Sequence, residues 1–155
     1  MNFEKLDFDV EKLKIEKIPK EKWEKIYNLE MTAMNTDTTY PWKKEELVEV
    51  FEKGEYFVFG YYFNKTLIAK VGFVKVLDKQ EIWWELDIAV KPEFQGKGIG
   101  KKIIREAIKK FNKKNIFLEV HPKNPALKLY QSVGFIEYSK KSTEHGPRII
   151  MDYKV

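Results

Sequence analysis

The sequence predicts an α/β domain, a mixed β-sheet of about six or seven strands flanked by about four helices. Three observations carry that expectation. Runs rich in aromatic and β-branched residues cover about 55–63, 66–77 and 81–90, separated by the hairpin-length joins Asn64-Lys65 and Asp78-Lys79-Gln80. Segments with apolar residues at helical spacing lie before and after these runs. The stretch 86–120 reads as strand, helix, strand, the unit that connects parallel neighbours by a right-handed crossover. Strand 81–90 is thereby expected to be central.

Taken in order, Leu13 to Ile18 alternates apolar and charged residues and reads as a strand stopped by Pro19. Trp23, Ile26, Tyr27, Met31 and Met34 then recur at helical spacing, until the polar run Asn35-Thr36-Asp37-Thr38-Thr39. A second helix begins near Lys43, with Leu47, Val50 and Phe51 on one face, and Gly54 closes it. After the three strands and a glycine-rich turn, a helix over about 98–112 sets Ile99, Ile103, Ala107, Ile108 and Phe111 inward, with Lys101, Lys102, Arg105 and Lys109 outward. A strand over 116–120, a helix over about 125–133 and strands over about 135–140 and 147–154 complete the chain.

At 155 residues with 43% hydrophobic side chains, the chain fits one domain over 1–155 with a full core, residues 1–12 standing as an extra N-terminal segment. It contains no cysteine, which excludes disulfides, thiolate catalysis and cysteine-bound metals. Tyr56 to Phe63, the longest apolar run, is far shorter than the ~20 residues of a spanning helix. The N-terminus has no apolar signal region. A cytoplasmic protein without a membrane partner is expected. The net charge of +5 comes almost wholly from lysine interleaved with glutamate, as in Lys43-Lys44-Glu45-Glu46. That interleaving weighs against a nucleic-acid footprint. His121 and His145 have no histidine at ligand spacing, and no metal is expected.

The most informative stretch is Gln95-Gly96-Lys97-Gly98-Ile99-Gly100, between a strand and a helix. A helix N-terminus presents amides without internal partners and carries partial positive charge. Glycines let an anion approach the backbone. Lys97, Lys101 and Lys102 add cations. The phosphate loop of nucleotide triphosphatases, G-x-x-x-x-G-K-S/T, is not present. The dinucleotide fingerprint G-x-G-x-x-G fits at Gly96 and Gly98 but meets Lys101 at its third glycine, although Glu119 stands about where the ribose-binding acid belongs. Only 55 residues follow Gly100, too few for that fold's repeated parallel units. A turn that only packs its helix is the plain alternative.

A third template fits better. Val90 to Gly100 resembles the GNAT superfamily of CoA-dependent N-acyltransferases, whose signature Gln/Arg-x-x-Gly-x-Gly/Ala is occupied by Gln95, Gly98 and Gly100. Asn124-Pro125-Ala126-Leu127-Lys128-Leu129-Tyr130-Gln131-Ser132-Val133-Gly134-Phe135 is similar to a second motif of the same superfamily, Asn-x-Ala-x-x-Leu-Tyr-x-x-x-Gly-Phe. The resemblance covers about 40–155 well and the preceding helices in outline.

It implies a GNAT-like sheet and an N-acetyltransferase with acetyl-CoA as cosubstrate. The amides from Gln95 through Gly96, Lys97, Gly98, Ile99 and Gly100 to Lys101 would hold the pyrophosphate. The backbone of Ile88, Ala89 and Val90 would pair with the pantetheine arm, the Val90 amide also facing the oxyanion. Asn124 would contact the arm or cap the helix that Pro125 opens, and both roles are compatible. Tyr130 would be the general acid, against its plain reading as a core aromatic.

An alkylammonium acceptor must lose a proton before it attacks, a deficit of roughly 4 kcal/mol near pH 7. Glu85 and Asp87, two apart on one strand and so on one face, are the candidate bases, Glu85 slightly preferred, directly or through water. The resemblance places the acceptor pocket at about 36–42 and 139–148, where Tyr40, Trp42, Trp83 and Trp84 could form an aromatic wall for a cation. A small-molecule amine and a protein amine both remain open as acceptors, as does a homodimer. The alternatives are a non-catalytic acyl-CoA-binding regulatory module of the same fold and, behind it, a nucleic-acid-binding protein.

Overall fold

A computed structural model describes residues 8–33 and 41–154. Seven strands form one sheet: β1 (Glu16–Ile18), β2 (Tyr56–Phe63), β3 (Thr66–Asp78), β4 (Glu81–Val90), β5 (Ile116–Val120), β6 (Phe135–Thr143) and β7 (Gly146–Tyr153), in the spatial order β1-β2-β3-β4-β5-β7-β6. Every neighbouring pair is antiparallel except β4 and β5. Among the described residues, four α-helices accompany it: α1 (Trp23–Ala33), α2 (Lys44–Glu52), α3 (Ile99–Phe111) and α4 (Leu127–Val133). The expected mixed sheet, with β4 at its centre, is the observed one.

The sheet is covered on both faces. Ile18, Tyr56, Val58 and Ala89 pack with Ile26 and Leu29 of α1 and Leu47 and Phe51 of α2. Phe59, Val71, Phe73, Leu86 and Leu118 pack with Ile99, Ile103, Ile104, Ala107 and Phe111 of α3. Phe73 and Phe111 stack with centroids 4.2 Å apart. Strand alternation divides the residues between these cores. It also separates Trp83 from Trp84: Trp83 meets Phe117, whereas Trp84 packs on Phe57 and Phe111 in the α3 core. The aromatic wall is therefore not formed by all four rings, and Tyr40 lies outside the described residues.

The β2–β3 and β3–β4 joins are two-residue turns. Asn64, Lys65, Lys79 and Gln80 all have positive φ, the backbone that suits the twist of a tight hairpin. The first strand is shorter than expected. Leu13 is buried in the α3 core, and its carbonyl accepts from Lys102 Nζ at 2.9 Å instead of joining the sheet. The final hairpin is longer than expected, pairing through to Thr143 and Gly146. Phe8 sits 5.1 Å from Phe63 and 5.2 Å from Phe94, so the described part of the N-terminal segment packs over the turn that leads out of β4.

Candidate active site

The site begins with a divergence in the sheet. β4 pairs with β3 along its whole length, from Asp78↔Glu81 to Ala69↔Val90. It pairs with β5 only at Trp84↔Ile116 and Glu85↔Phe117, after which the two strands part. Antiparallel pairing alternates the direction of backbone groups. Lys91 N–H donates to Ile68 of β3, and Trp84 N–H donates to Asn115 on the opposite side. Ile88 and Val90 share the parity of Trp84, so their amides and carbonyls face the gap. Val90 C=O accepts from Gln95 Nε2 at 2.9 Å, which folds the glycine turn back on the strand end and leaves the Val90 amide toward the opening.

At the mouth of the gap stands the turn. Gly96 and Gly98 have φ of +77° and +84°, backbone that L side chains adopt at a cost. A Cβ on either would meet no atom within 4 Å, so the space beside both is open to a ligand. The Gln95 amide is already bonded to Pro92 C=O at 3.2 Å, a correction to its expected place among the anion-binding amides. Gly98 precedes Ile99 of α3, whose first-turn amides have no carbonyl one turn earlier in the helix. Gly100 has a different reason: a Cβ there would lie 2.9 Å from Leu129, so it lets α3 approach α4.

These features share one cavity of about 670 Å³, within the range of cofactor sites. Its walls include Ile88, Ala89, Val90, Gln95, Gly96, Gly98, Ile99, Gly100, Lys101, Asn124 and Tyr130. Lys97 lies in the exposed turn outside these walls. Asn124 Oδ1 accepts from Ala126 N–H at 2.8 Å in the turn before α4. The helix starts at Leu127 with Ala126 as its N-cap, so, contrary to expectation, Asn124 does not cap it and Pro125 does not open it. Tyr130 is buried, its ring edge-on to Phe135. Burial, together with Asp87, holds its phenol above the ordinary tyrosine range.

The candidate bases differ sharply. Glu85 is pushed up to about 7 by burial, with Glu119 and Asp87 adding to the effect and Lys141 opposing it. Lys141 from β6 pairs with Glu119 of β5 beside it. Asp87 is enclosed by donors. Tyr56 Oη donates to it at 2.9 Å, Trp42 Nε1 at 3.2 Å, and Lys70 Nζ pairs with it directly. Lys70 also pairs with Glu30 of α1, and both side chains are completely buried. Burial pulls the Lys70 pKa down, but Asp87 and Glu30 outweigh it and hold the ammonium well above its ordinary range. Burial raises Glu30. The expectations from sequence did not include Lys70, Glu30 or Tyr56. The available signal was a lysine inside the apolar run Leu67-Ile68-Ala69-Lys70-Val71-Gly72-Phe73, where a charge requires a partner. His121 and His145 serve turns: His121 Nδ1 accepts from Lys123 N–H, and His145 Nε2 lies 3.3 Å from Glu144.

Comparison with known proteins agrees with this architecture. Residues 23–135 match the acetyltransferase (GNAT) family. Over 72 residues the chain is 36% identical to the N-alpha-acetyltransferase RimI of Mycobacterium tuberculosis (strain ATCC 25618 / H37Rv), a match that spans 45% of this chain and 46% of that protein. An acetyltransferase of the GNAT family from Streptococcus pneumoniae superposes with a TM-score of 0.73 over 92% of this chain and 100% of its own, at 17% identity. A spermidine N-acetyltransferase, a SpeG chimera from Vibrio cholerae and hSSAT, superposes with a TM-score of 0.71 over 91% and 94%, at 25% identity. Among the described residues, no helix is long and apolar enough to cross a membrane. With the parted strands, the open glycine turn and a match over most of its length, the chain belongs to the acetyltransferase (GNAT) family.

Proposed function

We propose that the protein transfers an acetyl group from acetyl-CoA to an amine by direct attack. One observation carries the reading: the unpaired edge of β4 and the open glycine turn line the same cavity, with Tyr130 on its wall. An extended arm can add to that edge as a strand would. The Gly96 to Lys101 backbone and the start of α3 suit a diphosphate. Bound there, acetyl-CoA supplies an activated thioester.

Glu85 takes the proton of the acceptor's ammonium, directly or through water. A carboxylate poised at about 7 is matched to that task at neutral pH. The amine nitrogen bonds to the thioester carbonyl carbon, and the Val90 amide faces the oxygen that becomes negative. As the C–S bond breaks, Tyr130 donates a hydrogen bond to the sulfur. A phenol above its ordinary range does not readily surrender its proton to a thiolate of pKa about 8.5. Its principal effect is therefore to stabilise the leaving group, and the net proton comes from the acceptor nitrogen. The three carboxylates Glu85, Asp87 and Glu119 favour a cationic acceptor. RimI is an N-alpha-acetyltransferase and the Vibrio cholerae relative a spermidine N-acetyltransferase. Both a protein N-terminus and a small polyamine fit this cationic class.

The test is calorimetric titration with acetyl-CoA, followed by thiol release across diamines, polyamines, aminoglycosides, amino acids and peptides with free N-termini. Micromolar binding and turnover with at least one cationic class are expected. Binding with no turnover in any class would instead support a regulatory acyl-CoA-binding module.

A further inference from the structure

Tyr56 and Trp42 belong to the α1/α2 core, and their polar ends converge on Asp87 together with Lys70. Lys70 stands in the middle of β3 with its side chain completely buried, where an apolar residue would serve packing better. Its three ammonium protons have three acceptors: Glu30 Oε1, Asp87 Oδ1 and, at 3.1 Å, Tyr56 Oη. Glu30 uses its other oxygen to accept the Trp42 backbone N–H at 3.2 Å. Asp87 uses its other oxygen to accept Trp42 Nε1. The network thus joins α1, β2, β3, β4 and the chain entering α2.

Two carboxylates and one ammonium leave a formal charge of −1. Glu30 and Lys70 are sealed, whereas the Asp87 side chain is 25% exposed, so the excess charge has one outlet. That outlet is on the same face as Glu85, two residues away on β4. Asp87 does not itself line the cavity, but its charge raises the phenol of Tyr130 on the cavity wall.

We propose that Lys70 is a positioning residue for the transfer: with Glu30, Tyr56 and Trp42 it holds Asp87 as a fixed anion beside Glu85, so that Glu85 takes the acceptor's proton and Asp87 seats the acceptor's positive charge. This rests on the acetyl-transfer reading above. Two carboxylates two residues apart would otherwise compete for one proton. Lys70 removes the competition by engaging the Asp87 carboxylate in an ion pair. Among the described residues, the charges acting on Glu85 are Glu119 from β5, Asp87 on its own strand and Lys141 from β6, and Lys141 pairs with Glu119.

The test compares Asp87→Asn with the double variant Lys70→Met/Glu30→Gln, which removes one charge of each sign and keeps Asp87. Kinetics with the best cationic amine are measured from pH 5.5 to 9, beside calorimetric titration with acetyl-CoA. For Asp87→Asn, KM for the amine should rise at least tenfold. The acidic limb of kcat/KM should persist and move to lower pH, and the affinity for acetyl-CoA should stay within twofold. For the double variant, KM for the amine should rise at least tenfold while the affinity for acetyl-CoA stays within twofold, because Asp87 is then no longer held in place. Loss of the acidic limb in Asp87→Asn would make Asp87 the base and overturn the proposal. So would a double variant whose KM matches the wild type at every pH, since Lys70 would then only fill space. Should the double variant fail to fold, Asp87→Asn alone decides. A wild type that binds acetyl-CoA without turnover removes the transfer reading, and this proposal with it.

Discussion

Replacing Glu85 with glutamine should abolish most of the activity and, above neutral pH, make the protein more stable. In the fold, burial raises Glu85 from 4.5 to about 7. The unfolded chain binds that proton more weakly, so folding favours the protonated form. The stability from this preference is complete below pH 4.5 and is lost as pH rises through 7. A shift of this size corresponds to about 3 kcal/mol at most, at 1.36 kcal/mol per unit. Glutamine has nearly the shape of the protonated carboxyl and no charge to bury. At pH 4.5 the two proteins should therefore unfold alike. At pH 9 the Glu85→Gln variant should be more stable by up to about 3 kcal/mol, or roughly 6–12 °C in Tm for a chain of this size. Urea unfolding at pH 4.5, 7 and 9 measures the difference directly. In the same samples kcat should fall by about 10²–10⁴, the usual range for a lost general base. A stability difference that does not change with pH would refute the reasoning, because Glu85 would then not be penalised by burial as an anion.

Tyr130→Phe should lower kcat by about 10²-fold while leaving the affinity for acetyl-CoA within twofold; an unchanged kcat with raised KM for acetyl-CoA would assign the hydroxyl to binding. Gly98→Ala must place a methyl at φ +84° and should cost about 1–2 kcal/mol of stability, with at least tenfold weaker acetyl-CoA binding by calorimetry. Gly54→Ala, at φ +68° and equally open, should cost similar stability with no change in that affinity, and equal affinities for both variants would remove the turn from the site. In Gly72→Ala the new Cβ would collide with the hydroxyl end of the Tyr56 ring. That collision should destabilise by about 1–3 kcal/mol and raise KM for the amine through Asp87, as thermal melts and steady-state kinetics would show.

The sequence by itself determined the sheet, the order of its elements and the position of the glycine-rich turn that lines the cavity. These follow from information local to the chain. Period-two and helical patterning selects which segments pair and which pack. The glycines of Gln95 to Gly100 specify a turn whose openness depends on their own missing side chains. The same kind of reasoning missed the short first strand, because Leu13 is held by Lys102, 89 positions away in sequence. It also preferred Glu85 to Asp87 only slightly, because the two have the same strand, face and charge. Only the tertiary structure separated them, by bringing Glu30 from α1, Tyr56 from β2 and Lys70 from β3 around one carboxylate while Glu119 approached the other. A proton's preference depends on the charges and solvent within a few ångströms, and those neighbours come together only when distant parts of the chain fold.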